Sequence, residues 1–593
     1  MKNKKIFIEN PIVVSLILNL SVLLLSLIAY KPFFEEIDEA LFAMFAEGAY
    51  GTRETHLIYP NIILGYIYKG LYSLCPSIRW HSVLQYAFLF IALTMLTYII
   101  LRCCRGCAGR SWLAIIFLLA VSYEVYVSLQ YSKTAALVSV TGYICLLYTF
   151  ALHDPDTANE MPVNTDGNRS RELLMLKIIA YVLIIYGILL RDDSFLLATL
   201  IMLPAGIYEF VKVILDKQKT KRRTFAFIGL FAATGCLFLL FAGINKVAYD
   251  RDPGWKSFME YNEARTKVTD YRYDLLDYNR YGDRLKNMGI SENDTLLYLT
   301  WQLGDDKVLS LDVLRSIVDG MPERKLDMEC FKALAEHIYA DVFVMNPLVI
   351  GTIILVMIVL AVVIRKKDKK IMVTVVTQLI IFAGILIYFE YCRRWSHRIV
   401  FAAMLVVAAS FSYFAALMHA SLKKEDYSAP GERSPYEGMA AGSLILLIIA
   451  CITMFLGNRF EYNDYMRSDT PEYREFLENA GKDEDILYVA DTFTFQKAFR
   501  FDVFKPYAEN SRGNIVTAGN WYVNCPVTKK ITRKFGYDNP IEALASGDEN
   551  VILVDNVFAE KKLEYINEHY GECSLKELPE KHGFRMYRVE KCY

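Results

Sequence analysis

The 593-residue chain lacks an excess of charge of either sign: 65 Lys and Arg stand against 66 Asp and Glu, a formal net charge of −1. Without a basic surplus it has no electrostatic footprint for nucleic acid, and no nucleic-acid partner is expected. Nor is there a Walker A loop, an H-E-x-x-H or a G-x-S-x-G, so nothing supports a P-loop ATPase, a zinc protease or an α/β-hydrolase. No internal repeat or low-complexity tract interrupts it. Its twelve cysteines are scattered, and Cys104 and Cys107 form a C-x-x-C with no second pair. That favours juxtamembrane thiols, open to acylation, over a zinc or redox site. Cys525, Cys573 and Cys592 leave room for one disulfide with one thiol over.

What is abundant is apolar surface. Hydrophobic residues make up 54% of the chain against 22% charged, and the mean hydropathy is +0.24, more than one water-soluble core hides. Runs of about 20 apolar residues, enough to cross roughly 30 Å of hydrocarbon, number eleven: 11–30, 81–101, 111–129, 134–152, 174–190, 194–211, 224–245, 344–364, 371–389, 399–419 and 438–456. The first follows Lys2, Lys4 and Lys5 and has no small-residue cleavage signature, so it reads as a retained span.

Charge then sorts by side. Every second loop is basic: Lys2–Lys5, Arg102–Arg110, Lys217–Arg223 and Arg365–Lys370, with 153–173 and 420–437 on the same side. The positive-inside rule puts these in the cytoplasm together with the N-terminus. The segments 31–80, 130–133, 191–193, 246–343, 390–398 and the tail from 457 fall outside. Residues 246–343 are polar, Tyr-rich and broken by Asp252-Pro-Gly254 and Met321-Pro322, which predicts a lid of short helices. The tail reads as a small α/β domain: a helix over 471–479, a strand over 486–490, a strand over 551–555, a helix over 559–569 and a strand over 584–589. It has no glycine-rich phosphate loop, and no catalytic role is expected of it. The expected fold is thus a polytopic α-helical membrane module over 1–456 and an extracytoplasmic α/β domain over 457–593.

The segment after the first span carries the most chemistry. Four carboxylates, Glu35, Glu36, Asp38 and Glu39, cluster at headgroup depth. Ile37, Leu41, Met44, Phe45 and Gly48 recur at helical spacing, predicting an amphipathic helix lying on the outer interface. Asp38 and Glu39 sit at its start, where peptide dipoles favour anions without any function being required. A second apolar stretch, His56–Gly70, reads as another interfacial helix, because a span there would reverse every later loop.

An inside N-terminus, one span, an aromatic-flanked Asp-Glu opening an interfacial helix, a second such helix and many spans resemble the GT-C glycosyltransferases. The likeness is greatest to the branch of protein mannosyltransferases and aminoarabinose transferases, which use sugars carried on polyprenyl phosphate. It rests on Phe34–Tyr50, on the large outer loop 246–343 and on the outer tail. It is a likeness of layout over about 450 residues, with a short motif. The resemblance implies a membrane glycosyltransferase taking a monosaccharide from a polyprenyl-phosphate donor to an envelope glycan, lipid or protein, with inversion. Asp38 would be the general base and Glu39 its helper. The Trp-Trp-Asp tripeptide of the oligosaccharyltransferase branch is missing, which argues against a pyrophosphate-linked oligosaccharide donor.

Such a reaction needs a carboxylate to take the acceptor proton and cations to hold the leaving phosphate. Arg191, with Asp192 and Asp193, closes the fifth span; it reads either as a self-neutralising turn or as a phosphate and acceptor site. Arg393, Arg394, His397 and Arg398 lie outside, against the positive-inside trend, and an anionic lipid phosphate would explain them. Glu124, inside a span, and Lys133 read as site residues or as an ion pair. In the lid, Tyr261 and Asn262, with Arg265, Asp270–Tyr273 and Asn293–Thr295, mix aromatic, amide and charged groups suited to sugars, though Tyr is also an ordinary interfacial residue. No cofactor is specified, and a divalent cation, Mg2+ or Mn2+, is left open. Two other classes fit the composition: a transporter or flippase of a lipid-linked or anionic substrate, and a non-catalytic envelope-assembly protein. Charge concentrated at the outer rim without a repeat speaks against the transporter.

Overall fold

The computed structural model describes residues 10–103, 110–152, 166–215, 221–271, 273–319, 325–343, 346–422, 462–463, 466–467, 471–497 and 499–592. Among these, nine helices are long and apolar enough to cross a membrane: Pro11–Ala29, Trp80–Cys103, Tyr131–Ala151, Ser170–Leu190, Asp192–Leu215, Lys221–Arg251, Pro347–Lys366, Lys369–Tyr391 and His397–Met418. The chain is a polytopic helical membrane protein. The third expected span is shorter, with an apolar helix over Leu113–Tyr126. Its end differs because residues past Tyr126 leave the helix to form a strand, Ser128–Leu129 (β2), parallel to Phe33–Phe34 (β1). The eleventh expected span, 438–456, lies outside the described residues, as do Cys104, Cys107 and the boundary at 457.

Burial ranks the helices. Tyr131–Ala151 is buried along its whole length and His397–Met418 nearly so, whereas Pro11–Ala29 and Lys221–Arg251 have few buried residues. The first two form the bundle's axis, and the apolar surface of the others faces outward as lipid-facing helices do. Lys221–Arg251 has 31 residues, about 46 Å at helical rise. It therefore runs well beyond the expected 224–245 and continues into the lid.

The lid is helical, as its composition predicts, with helices Pro253–Thr269, Tyr278–Asn287, Glu292–Leu299, Leu311–Val318 and Met328–Phe343. Asp252, Asp277, Ser291 and Ser310 each cap one of them, accepting backbone N–H groups at the helix start. The second interfacial helix forms later than expected, over Ile62–Leu74, because Asn61 caps it and Ile58, at φ +74°, keeps the preceding residues out of a helix.

The acidic helix, Asp38–Glu47, departs from expectation in its surroundings. All ten of its residues are buried, so it does not lie on an interface with one wet face. Part of its covering is the C-terminal unit: Asn510 N–H donates to the Gly48 carbonyl (2.8 Å) and Arg512 N–H to that of Ala49 (2.7 Å). Gly48, at φ +83°, terminates the helix in a left-handed turn that a side chain would strain.

That unit is built on a five-stranded mixed sheet of Leu487–Ala490 (β3), Ile515–Thr517 (β4), Val551–Val554 (β5), Cys573–Lys581 (β6) and Phe584–Lys591 (β7), in the order β4-β3-β5-β7-β6. β4, β3 and β5 are parallel, and β7 and β6 antiparallel. The parallel strands are wholly buried, which is why they read as unbroken apolar runs. Cys525, Cys573 and Cys592 are all free thiols, so the expected room for a disulfide is not used.

Candidate functional site

A cavity of about 330 Å³ opens where the acidic helix, the lid, the 392–398 turn and the C-terminal unit meet. The chain leaving the first span is pinned there: Phe33 N–H donates to the Val127 carbonyl, Glu35 N–H to that of Leu129, and Phe34 N–H to that of Arg500. This fixes Glu36 and Asp38 on the cavity wall.

Asp38 is held from two sides. One carboxylate oxygen lies 2.6 Å from the Arg398 guanidinium, and the other accepts a hydrogen bond from the Trp521 indole N–H at 3.1 Å. Glu36 faces the same space. Burial pushes its carboxyl from an ordinary 4.5 up to about 7, with Arg398 opposing and the charges of Asp38 and Glu35 adding to the rise. A proton can therefore be taken or given there near neutral pH.

Glu39 is beside Asp38 but turned away from the cavity. One of its oxygens accepts the Tyr131 N–H at the start of helix Tyr131–Ala151, next to the Gln130 cap. Burial, reinforced by the Asp38 charge, holds its carboxyl well above the usual range. It serves as a cap of the central helix.

Four guanidiniums, from Arg265, Arg393, Arg394 and Arg398, line the cavity against three carboxyls, from Glu36, Asp38 and Asp270. Arg394 lies 3.7 Å from Asp270 and 4.8 Å over the Tyr271 ring. Arg393 lies 4.0 Å from Asp274. Arg265 bonds Asp270 at 2.9 Å and Asn262 at 2.9 Å, under the Trp301 ring. Tyr59, Trp301, Trp395, Phe493 and Trp521 supply aromatic walls. Positive charge with flat apolar faces suits an anion attached to a ring.

Other expected site residues are placed elsewhere. Lys133 lies 2.6 Å from both Glu124 and Glu35, and Asn346 donates to Glu124 at 3.1 Å. This is the ion-pair alternative, enlarged by a third charge and buried, and it does not line the cavity. Arg191 pairs with Asp193 at 2.7 Å, the self-neutralising reading, while its guanidinium stacks 4.5 Å from the Tyr59 ring. It thus buttresses a cavity wall from behind. Asp192 and Asp193 begin the next helix and do not reach the cavity. His397 lies 3.5 Å from Asp341 and, unlike its neighbours Ser396 and Arg398, is not on the wall. Tyr261 borders a smaller crevice beside the cavity, and Asn262 holds Arg265 from behind.

Sequence reasoning missed the contribution of the C-terminal unit. Thr492, Phe493, Gln496, Asn520 and Trp521 all line the cavity, although no catalytic role was expected of the tail. They follow β3 and β4 at their carboxyl ends, the end where open α/β sheets receive ligands. That rule was the one available signal.

A divalent cation in the cavity would have to displace arginines from Asp38 and Asp270, so this donor set does not fit one. Among the described residues, the cluster with metal-ligand spacing is Asp294, Glu568 and His569, away from the cavity, where His569 already lies 3.0 Å from Asp294.

Fold and cavity together define a polytopic helical membrane protein with an arginine-rich, aromatic-walled chamber at one end of its bundle. Comparison with protein families, curated proteins and solved structures yields no match for this chain.

Proposed function

We propose that the protein is a membrane glycosyltransferase of GT-C type that moves a monosaccharide from a polyprenyl-phosphate donor to an envelope glycan, lipid or protein. The observation that carries this reading is the cavity itself, where Asp38 and Glu36 face Arg393, Arg394 and Arg398 between aromatic walls. The lid and the C-terminal unit lie on the outer side of the cell membrane and the N-terminus in the cytoplasm, which leaves the cavity at the outer headgroup level.

In the reaction, Asp38 takes the proton of the acceptor hydroxyl as its oxygen bonds to the anomeric carbon. The bond from that carbon to the phosphate oxygen breaks on the opposite face, with inversion. The electron pair leaves with the phosphate, whose growing charge the arginines stabilise. The Trp521 and Arg398 contacts orient the base, and Glu36 buffers a proton nearby. A cavity at the helix ends fits this better than it fits a transporter, whose sites lie near the midplane.

The test is transfer of a radiolabelled sugar from polyprenyl phosphate by the reconstituted full chain. Asp38→Asn is expected to lose at least about a hundredfold in rate. Full transfer by that variant would remove Asp38 from the base role, and no transfer by the wild type with any polyprenyl-phosphate sugar would remove the reading itself.

A further inference from the structure

The charged residues of the cavity all come from the acidic segment, the lid and the 392–398 turn, whereas the C-terminal unit contributes Thr492, Phe493, Gln496, Asn520 and Trp521, without one formal charge. The loop after β4 is seated tightly. A Cβ on Gly519 would meet the Trp301 carbonyl oxygen at 2.3 Å, so only glycine lets the loop press against the lid. The next residue, Asn520, is held at φ +95°.

Behind the cavity is a crevice of about 10 Å³, which shares Arg265, Thr269, Trp301 and Asn520 with it and is also bordered by Asn524. Asn520 and Asn524 are each only 6% exposed. The Asn520 side-chain oxygen accepts the Trp521 N–H at 2.6 Å, but its amide nitrogen has no partner, and neither does the side-chain oxygen of Asn524. Buried amide groups are nearly always satisfied. One unused amide donor and one unused carbonyl acceptor, with the Tyr298 hydroxyl beside them, therefore belong to residues around a space the size of a single oxygen-sized group. A hydroxyl, which both donates and accepts, answers both.

The geometry points to a sugar-reading subsite built by the C-terminal unit, in which a ring hydroxyl of the donor monosaccharide enters the crevice between Asn520 and Asn524 while the arginines hold its phosphate. The inference rests on the transferase reading above and assigns it a specificity determinant. The donor sugar is the ligand favoured because it is joined to the phosphate through one oxygen, so a phosphate at the arginines places the ring inside the same chamber. The neutral wall then distinguishes sugars, and the cationic wall holds any polyprenyl phosphate.

The experiment measures binding by tryptophan fluorescence, with the full chain in nanodiscs. Its probes are sugar-free undecaprenyl phosphate and undecaprenyl phosphate carrying a hexose or a pentose. The wild type is expected to bind at least one sugar-bearing lipid more tightly than the sugar-free one. Asn524→Ala and Asn524→Leu should each weaken that lipid roughly tenfold, the worth of a well-made hydrogen bond, and leave the sugar-free lipid unchanged. That unchanged affinity also reports an intact fold. If the wild type binds the lipids equally, or if the variants weaken both alike or neither, the subsite is wrong while the transferase reading stands. If the wild type binds none of the lipids, the transferase reading fails and takes the subsite with it.

Discussion

Replacing Glu36 by Gln isolates the electrostatics of the cavity in one measurable slope. In the unfolded chain this carboxyl gives up its proton near the ordinary 4.5, and in the folded protein near 7. Between those values the native state holds more protons than the unfolded one, so stability must fall as pH rises. The slope is about 1.4 kcal/mol per pH unit, and about 3 kcal/mol is lost by pH 7, with the slope dying away over the next unit. Glu36→Gln has nearly the same shape and cannot ionise. Its stability relative to the wild type should therefore be unchanged near pH 4.5 and grow to about 3 kcal/mol above pH 7. The assay is denaturant titration of both proteins in the same mixed micelles from pH 5 to pH 8, comparing midpoints. Curves that run parallel across that range would show that Glu36 ionises as an exposed carboxylate does, and the description of the cavity as a desolvated chamber would fall with it.

Two further outcomes follow from the same structure. Arg79 is fully buried and bonds Glu47 through Nε at 2.8 Å and a second nitrogen at 3.1 Å, and it also donates to the Asp502 carbonyl. Arg79→Met should cost about 3–5 kcal/mol in a denaturant titration by stranding the Glu47 charge, and adding Glu47→Gln should recover part of that loss. Cys525 is buried and Cys592 exposed. A maleimide should therefore label Cys592 in the folded protein and Cys525 only after unfolding, with a reducing agent leaving the melting temperature unchanged.

The bundle was legible because spans and basic loops are local signals that repeat, and ten of eleven expected segments fall on apolar helices. The tail's main strands were legible for a related reason: Leu487–Ala490 and Val551–Val554 are apolar on both faces. β4, with three residues, and β6, with the polar run from Cys573 to Lys581, carry no such pattern. At the site, Asp38 and Arg398 were found from carboxylate clustering and from charge on the unexpected side. What joins them was not legible. Whether Glu39 faces a cavity or a helix start depends on where Tyr131 lies, and whether Lys133 is a ligand or a countercharge depends on Glu35 and Glu124. Trp521 looked like any tail aromatic, because its partner is 483 positions earlier.

Those separations bear on how the protein is made. Asp38 leaves the ribosome early, yet its guanidinium partner follows 360 residues later and its indole partner 483 residues later. Synthesis proceeds at about 5–20 residues per second, so for tens of seconds the acidic helix exists with neither. During that interval every span up to the lid can insert while the chamber has no floor and no far wall. Its assembly is therefore a late event that depends on the C-terminal unit reaching the same side of the membrane as residue 38. A chain stopped before residue 521 would keep its apolar spans and have a chamber without the indole that holds Asp38.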